Sequence, residues 1–324
     1  MLSNTIIFFL ISTATFILGK FYIFLWSKIQ KKNTTPSGFG IILPLILIPI
    51  SVTNPDFFML PILNIFIILL AGLIYFIDDL KGLHHWIRIS IAFIFGAGLF
   101  LIEAQNVTYS NVIILCLVIL FGVISVGLTN MMNFYDGADL NIALIILLAG
   151  IILLNYSGGD GVTFKNTGIV FCSFATGFAI FNRKPNCLYL GDAGSFVIAL
   201  FFLYFLISFI IFNNIPVELI VILALPLFDV FYVMLIRLYY KHDMLSRNYL
   251  HLYQRINIRY GSFFHIIPQL INVVAIIILA RLIEISSLDK MWSLLITSFL
   301  FTPIFYIVCR FLFVERGYFF GDGE

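Results

Sequence analysis

The sequence predicts an all-α, polytopic integral membrane protein. Of its 324 residues, 62% are hydrophobic and 10% are charged, and the mean hydropathy is +1.10. Soluble domains carry about 25% charged residues. Apolar runs close to the ~20 residues that a transmembrane helix needs recur along the whole chain. The runs are continuous, whereas the strands of a membrane barrel alternate apolar and polar residues.

We expect eleven transmembrane helices within one integral domain, residues 1–324, because no long polar linker and no internal repeat interrupts the pattern. The number falls to ten if one of the two short runs does not cross the membrane. The first run has no Lys or Arg ahead of it, so we expect it to be retained and not cleaved as a signal peptide. The predicted spans are 5–26, 38–53, 57–77, 86–103, 111–131, 138–155, 167–182, 195–213, 217–238, 264–284 and 290–313.

The distribution of positive charge predicts the orientation. Cytoplasmic loops of membrane proteins collect Lys and Arg. With the N-terminus outside, fourteen Lys and Arg residues fall on the inner side and three, Lys165, Arg281 and Lys290, fall on the outer side. The prediction is therefore an external N-terminus and a cytoplasmic C-terminus.

Acidic residues gather on the same predicted cytoplasmic face. Asp78, Asp79, Asp136, Asp139 and Asp192 lie at the inner ends of apolar runs, in polar clusters with Gly and Asn. Carboxylates do little to set topology, and their burial near a helix end is costly unless they are paired. We therefore expect one site built from several loops. The alternative is a set of solvated loop acids.

The first cluster is IDDLKGLHHWIR, residues 77–88, in which Asp78 and Asp79 are adjacent. Neighbouring carboxylates repel each other unless a cation or a proton is shared, and Mg²⁺ takes oxygen ligands. The pair is thus a candidate for metal binding or for activation of a phosphate. Arg88 is either a phosphate ligand or an anchor of the next helix.

The second cluster is NFYDGADL, residues 133–140. Asn133, Asp136 and Asp139 are spaced by three, so they share a face if the segment is helical. An amide and two acids can hold a sugar, a base edge or the water shell of a metal. The alternative is a polar helix cap.

The third cluster is FNRKPNCLYLGDAGS, residues 181–195, with Asp192 just ahead of an apolar run. The start of that helix offers free N–H groups to an anion, and Tyr189 could stack on a planar base. Capping of the helix is the alternative role for Asp192.

Two basic segments complete the pattern. RLYYKHDMLSRNYLHLYQRINIR, residues 237–259, is rich in Tyr and holds His251 and Arg255, which suits a pyrophosphate-linked ligand. Positive-inside charge with interfacial tyrosines is the alternative. KKNTTPSGFG, residues 31–40, contains Lys32 and is either a phosphate-facing turn or a plain loop. Asp229 lies inside an apolar run, where an acid is by default either a functional residue or part of a polar network.

Taken in order, these clusters resemble the polyprenyl-phosphate N-acetylhexosamine-1-phosphate transferase family of glycosyltransferase family 4, which includes the phospho-MurNAc-pentapeptide translocase. The resemblance extends from about residue 31 to residue 255. The matching positions are Asp78, Asp79 and Arg88, then Asn133, Asp136, Gly137 and Asp139, then Asn182 and Asp192, and finally Pro226, Asp229 and Arg237.

The resemblance implies a role for each of these positions. Asp78, Asp79 and His251 would be catalytic, and Asp192 with Asp79 would bind Mg²⁺, or Mn²⁺ as the alternative. The residues that would bind substrate are Lys32, Arg88, Asn133, Asp136, Asp139, Asn182, Tyr189 and Arg255.

The activity that the resemblance implies is transfer of an N-acetylhexosamine-1-phosphate from a UDP-sugar to undecaprenyl phosphate, with release of UMP. It would take place at the cytoplasmic face of the bacterial inner membrane. The expected partners are the donor, the acceptor and the bilayer, without nucleic acid, and a homodimer is left open.

Three departures from the family pattern bear on the substrate. The family's H-x-H-H motif is HLYQ here, its Gly-Gly pair near residue 38 is GFG, and Leu140 replaces a second Gly. The HLYQR form resembles the branch that starts O-antigen chains in lipopolysaccharide synthesis.

Two other function classes compete with the transferase. The first is an ion-coupled transporter with an acidic cytoplasmic-side site, but a transporter is expected to place its site near the bilayer midplane. The second is an inactive membrane scaffold, which the intact acidic motifs disfavour.

Overall fold

The computed structural model describes residues 4–29, 35–105, 107–156, 161–183, 188–212, 216–242, 249–261, 263–284 and 289–314. Over these ranges the chain forms helices and no strand, which confirms the all-α prediction. The α-helices are α1 (Asn4–Ile29), α2 (Ile42–Thr53), α3 (Ile62–Lys81), α4 (His85–Ala104), α5 (Asn111–Tyr135), α6 (Asn141–Asn155), α7 (Gly161–Ala179), α8 (Gly191–Phe212), α9 (Glu218–Val221), α10 (Ala224–Tyr239), α11 (Leu252–Tyr260), α12 (Ile267–Glu284) and α13 (Lys290–Phe313). Short 3₁₀ helices cover Phe39–Ile41, Pro55–Phe57 and Phe264–Ile266.

Within the described ranges, eight helical segments are long and apolar enough to cross a membrane, which agrees with a polytopic membrane protein. Two further apolar helices, Phe39–Thr53 and Asn141–Asn155, are shorter. The number of spans and their orientation stay predictions. The eight segments are Asn4–Lys28, Ile62–Lys81, His85–Ala104, Asn111–Tyr135, Gly191–Ile211, Glu218–Tyr239, Phe264–Ile283 and Lys290–Phe313.

Several helices extend beyond the apolar runs that predict them. Helix α5 runs to Tyr135, although the apolar run ends at 131, and α8 begins at Gly191, although its run begins at 195. A hydropathy pattern ends where polar residues begin, whereas a helix continues through polar residues that find partners in the tertiary structure. This difference matters because the polar extensions carry the candidate site.

The described chain divides into two compact units, Met1–Pro216 and Val217–Glu324. The single integral domain stays a prediction. In the first unit, α8 packs against α3, α4 and α5. Its residues from Phe196 to Phe205 are almost all buried. This explains why α8 is apolar all round, as a central helix is.

The Phe39–Ile41 turn lies directly on the first turns of α8. The backbone N–H of Gly40 donates to the carbonyl of Leu190 at 3.3 Å. A Cβ atom on Gly40 would collide with the backbone of Gly194. Both positions must therefore lack a side chain for the turn and the helix to approach this closely.

We expect the Gly40→Ala variant to lose about 1–3 kcal/mol of stability, the usual cost of overpacking, in thermal or denaturant unfolding in detergent. The matched control is Gly98→Ala in α4, where an added Cβ meets nothing within 4 Å. Gly98→Ala should be neutral or stabilising, because Ala has the higher helix propensity. Equal stability of the two variants would contradict the close approach.

In the second unit, α13 packs against α10, α11 and α12. The predicted span 217–238, which corresponds to the apolar segment Glu218–Tyr239, consists of two helices, because a turn at residues 222–223 separates α9 from α10. Arg310, one of the fourteen basic residues assigned above to the inner side, is fully buried at 0% exposure inside this unit.

Candidate active site

Four elements of the first unit bring charged and polar side chains together: the end of α3, the start of α4, the end of α5 and the start of α8. The Nε atom of Arg88 lies 3.6 Å from Oδ2 of Asp78, and its Nη1 atom lies 3.7 Å from Oδ2 of Asp192. The side chain of Asn133 also bonds to Asp192. The Arg88 side chain is 37% exposed and that of Asp192 is 24% exposed. Arg88 and Asp192 are therefore partly accessible, whereas the Asp78 side chain is 2% exposed.

The carboxylate of Asp79 accepts hydrogen bonds from other groups of the protein. Its Oδ1 atom accepts from the Ser37 hydroxyl at 2.9 Å and from the Asp192 N–H at 3.1 Å, and its Oδ2 atom accepts from the Ala193 N–H at 2.9 Å. A carboxylate at a helix N-terminus satisfies N–H groups that have no partner within the helix. Asp79 thus holds the first turn of α8, and three of its roughly four acceptor positions are used.

Asp78 has a different environment from its neighbour. Its Oδ1 atom accepts from the Leu83 N–H. Its Oδ2 atom is buried and accepts no hydrogen bond from any described residue, and it faces Arg88. Of the two adjacent carboxylates, Asp78 is therefore the one with an oxygen that accepts no hydrogen bond from the described residues.

Asp136 also supports the start of α8. Helix α5 ends at Tyr135 and Asp136 caps it, with its N–H bonded to the carbonyl of Met132 at 2.9 Å, so the helix does not continue to Asp139 as the expected polar face requires. The Asp136 carboxylate instead accepts from the N–H groups of Leu190 at 3.2 Å and Gly191 at 2.7 Å. Burial raises the pKa of Asp136 well above its usual range, and these two hydrogen bonds act in the opposite direction. Asp139 is buried in the same turn.

The loop that enters α8 depends on Gly191. This residue has φ +75°, a conformation that only Gly adopts without strain. A Cβ atom there would clash with the backbone of Gly38 and with the Asp79 carboxylate. The N–H of Tyr189 donates to the carbonyl of Pro36 at 3.0 Å. The described part of the predicted 31–40 turn therefore packs against the site, while Lys32 lies outside the described residues.

Asn182 joins two loops of the site. Its Oδ1 atom accepts from the Leu140 N–H at 2.9 Å, and its Nδ2 atom donates to the carbonyl of Leu188 at 2.9 Å. The side chain is buried. Asn182 thus ties the turn after α5 to the loop before α8, and its predicted contact with substrate stays a prediction.

The same turn holds a strained residue. Leu140 has φ +66°, in the left-handed region that disfavours side chains with a Cβ. This is the position where the resemblance expects Gly.

We expect the Leu140→Gly variant to be more stable than Leu140→Ala by about 1 kcal/mol, because both lose the Leu side chain but only Gly avoids the left-handed penalty. The usual helix order, with Ala above Gly, is thereby reversed. Thermal unfolding of the two variants in one detergent measures the difference. A more stable Ala variant would show that Leu140 is unstrained.

His251 and Arg255 lie in the second unit. His251 directly precedes α11, and Arg255 lies on that helix. The His251 Nδ1 atom lies 3.1 Å from Oδ2 of Asp229 on α10. The predicted catalytic role of His251 and the predicted substrate contact of Arg255 stay predictions.

The donor set of the first unit is compatible with Mg²⁺. No group of three or more His, Cys, Asp or Glu side chains among the described residues is arranged to hold a metal ion. However, Mg²⁺ is usually held by one or two carboxylates together with substrate phosphates. Asp192 is partly exposed, and Asp78 has an oxygen without a hydrogen bond. These two carboxylates meet that lower requirement.

Sequence reasoning missed three contributors. Ser37 bonds to Asp79; it lies in the 31–40 segment, but within that segment the sequence analysis named Lys32 and not this serine. Tyr306 and Arg310 form a buried network with Asp229. An arginine within an apolar helix was a usable signal for that network.

Comparison with known proteins bears on the same segment of the chain. Residues 60–210 match the family model described as glycosyl transferase family 4. A provisionally assigned glycosyltransferase of Methanocaldococcus jannaschii is 30% identical over 151 residues, which cover 46% of this chain and 46% of the relative. A phospho-N-acetylmuramoyl-pentapeptide-transferase of Lactobacillus delbrueckii subsp. bulgaricus is 31% identical over 150 residues, which cover 38% of this chain and 44% of the relative.

The chain spans less than half the length of either relative in these matches. All the predicted site residues of the first unit other than Lys32 fall within 60–210, while His251 and Arg255 fall outside it. The segment that carries the candidate site is therefore similar to glycosyl transferase family 4.

Proposed function

We propose that this protein transfers an N-acetylhexosamine-1-phosphate from a UDP-sugar to undecaprenyl phosphate, releases UMP and so starts a lipid-linked glycan. The observation that carries the proposal is the Asp78–Arg88–Asp192 arrangement at one end of the first unit. It places acceptor oxygens and one partly exposed guanidinium beside the start of a helix. Phosphoryl transfer needs this combination, because its catalysis is mostly positioning and charge stabilisation.

The reaction joins two phosphates. An oxygen of the lipid phosphate forms a bond to the sugar-bearing phosphorus of the donor, and the bridging P–O bond to UMP breaks, with the electron pair leaving on UMP. The transfer takes place either in one in-line step or through a phosphorylated carboxylate.

The chain's own residues have separate tasks in this scheme. Asp78 takes the remaining proton of the lipid phosphate or orients it, since its Oδ2 atom accepts no hydrogen bond from the described residues. Arg88 turns from the carboxylates to the phosphates, a change that its exposure permits. Asp79 and Asp136 hold the first turn of α8 and thereby position Asp192.

Asp192 and Asp78 would hold the metal, and Asp79 retains about one acceptor position for the same purpose. A bound Mg²⁺ supplies positive charge to the diphosphate and to the leaving UMP.

Location and substrate branch are part of the proposal. The positive-inside pattern supports a cytoplasmic site, and the family resemblance implies the inner membrane of a bacterial cell. The HLYQR segment supports the O-antigen-initiating branch and an N-acetylated hexosamine, with 6-deoxy sugars included.

The test uses the full-length protein in detergent with undecaprenyl phosphate, Mg²⁺ and a panel of UDP-N-acetylhexosamines. We expect UMP release that requires both the lipid and the metal, that EDTA abolishes and that one donor supports best. A folded protein that releases no UMP from the panel or from UDP-sugar pools of the native cell would overturn the proposal.

A further inference from the structure

A buried polar network in the second unit surrounds Asp229. Asp229 is 0% exposed and His251 is 2% exposed. The Asp229 Oδ2 atom lies 3.1 Å from the His251 Nδ1 atom. Its Oδ1 atom accepts from the Leu252 N–H at 2.9 Å and from the Tyr306 hydroxyl at 2.7 Å. One oxygen of the Asp229 carboxylate therefore contacts His251 itself. The other oxygen accepts hydrogen bonds from the next residue, Leu252, and from Tyr306.

Arg310 extends this network from α13. Its Nη1 atom donates to the carbonyl of Leu250 at 2.8 Å and to the Tyr306 hydroxyl oxygen at 3.2 Å. Since Tyr306 donates its proton to Asp229, its oxygen lone pairs are left to accept from Arg310. The chain that enters α11 is thus held at three successive residues, Leu250, His251 and Leu252.

The geometry also determines which nitrogen of His251 carries a proton. An ionised carboxylate can only accept hydrogen bonds. The Nδ1 atom must therefore be the donor in the Asp229 contact, and in the neutral imidazole the lone pair lies on Nε2. A carboxylate partner that sets the tautomer and the orientation of a histidine is a recurring device in catalytic sites.

We propose that Asp229 is a positioning residue that acts through His251, by keeping its imidazole in one orientation with the proton on Nδ1. The inference rests on the proposed function and on the predicted catalytic role of His251. The competing explanation is that the network only stabilises the second unit.

The Asp229→Asn variant separates these explanations because it keeps the shape of the side chain. Its amide oxygen can still accept from Leu252 and Tyr306, which turns the amide NH₂ towards His251. A donor there requires the imidazole proton to move to Nε2. The proton of the His251 imidazole should therefore move from Nδ1 to Nε2, while the hydrogen bond from the Leu252 N–H is retained.

The first measurement is the tautomer of His251, read from ¹⁵N-histidine NMR of the full-length protein in detergent at alkaline pH. The chain has five histidines, and the His251 signal is the one that disappears in His251→Gln. We expect Nδ1–H in the wild type and Nε2–H in Asp229→Asn. An Nε2–H wild type, or an unchanged tautomer in the variant, would overturn the proposal. This readout does not depend on activity, so it still decides the geometry if the wild type releases no UMP.

The second measurement is a double-mutant cycle on UMP release. We expect Asp229→Asn to lower kcat about 10- to 100-fold, the usual loss when the outer partner of a functional histidine is removed, with KM changed less. In the His251→Ala background, the same substitution should change kcat by less than about twofold, because the residue it acts through is absent. Equal losses in both backgrounds, or no loss in the wild type, would overturn the proposal.

Two further variants provide a second test and a control. Tyr306→Phe removes only the hydroxyl that donates to Asp229, so it decides the question if Asp229→Asn does not fold. It should lower kcat severalfold in the wild type and leave the His251→Ala background unchanged. Asp289→Asn is the matched control, because Asp289 is an exposed acid of the same unit without a side-chain capping bond. Its kcat should equal that of the wild type.

Discussion

We expect the Asp192→Asn variant to release UMP at about a thousandth of the wild-type rate. A metal ion contributes several kcal/mol of charge stabilisation in such a reaction, and each ~1.4 kcal/mol corresponds to a tenfold change in rate. Asn keeps one carbonyl oxygen but loses the charge. The Asp192 carboxylate is only 24% exposed, so water compensates little for the loss. The assay is UMP release at saturating donor and lipid.

The control for this variant is Asp56→Asn, which removes an exposed acid of the same unit. It should retain wild-type activity. Titration with Mn²⁺, followed by electron paramagnetic resonance, tests the metal separately from the reaction. We expect weaker Mn²⁺ binding in Asp192→Asn at unchanged thermal stability. If that variant binds Mn²⁺ as tightly as the wild type does, Asp192 is not a metal ligand.

We expect Asp78→Asn to lower kcat by about 10²- to 10⁴-fold, the usual contribution of a positioned acid–base group. The Oδ1 contact with Leu83 can survive in Asn, so we expect a small change in melting temperature. Asp79→Asn should behave differently. An amide NH₂ cannot accept from the N–H groups at the start of α8, so that variant leaves at least one buried donor unsatisfied. Such a loss costs about 1–3 kcal/mol.

Asp78 and Asp79 are adjacent in the chain, so the same Asp→Asn substitution at each position gives a matched comparison. Asp78→Asn should lose activity at nearly constant stability, and Asp79→Asn should lose stability. Melting curves and UMP release on the same preparations compare the two. Equal loss of stability in both variants would mean that Asp78 is also a structural residue.

The Asp136 carboxylate shows why the structure revises residue roles that the sequence alone suggests. Its spacing from Asn133 and Asp139 indicates a polar face of a helix, but α5 ends one residue before it. Both oxygens of the Asp136 carboxylate accept hydrogen bonds from the backbone N–H groups of Leu190 and Gly191. Sequence spacing predicts which side chains share a face only when the local backbone is known, and it does not reveal a hydrogen-bonding partner in a loop 54 residues away.

Other features were within reach of the sequence. Apolar runs predicted the α-helices of the first unit to within six residues at each end, because burial in lipid requires a helix to satisfy its own backbone. The clustering of acids at the ends of these runs predicted which residues would meet. Asp78, Arg88, Asn133 and Asp192 do meet in the structure, since the helices that carry them pack against α8 or lie beside it.

The sequence by itself determined the all-helical class, the apolar segments and the set of residues that could carry the chemistry, because these follow from composition and local pattern. Tertiary structure alone decided the division of labour among the acids. The carboxylates of Asp79 and Asp136 accept hydrogen bonds from backbone N–H groups, while those of Asp78 and Asp192 face Arg88. The physical reason is that the availability of a carboxylate oxygen depends on donors brought to it from distant parts of the chain, and no local pattern records them.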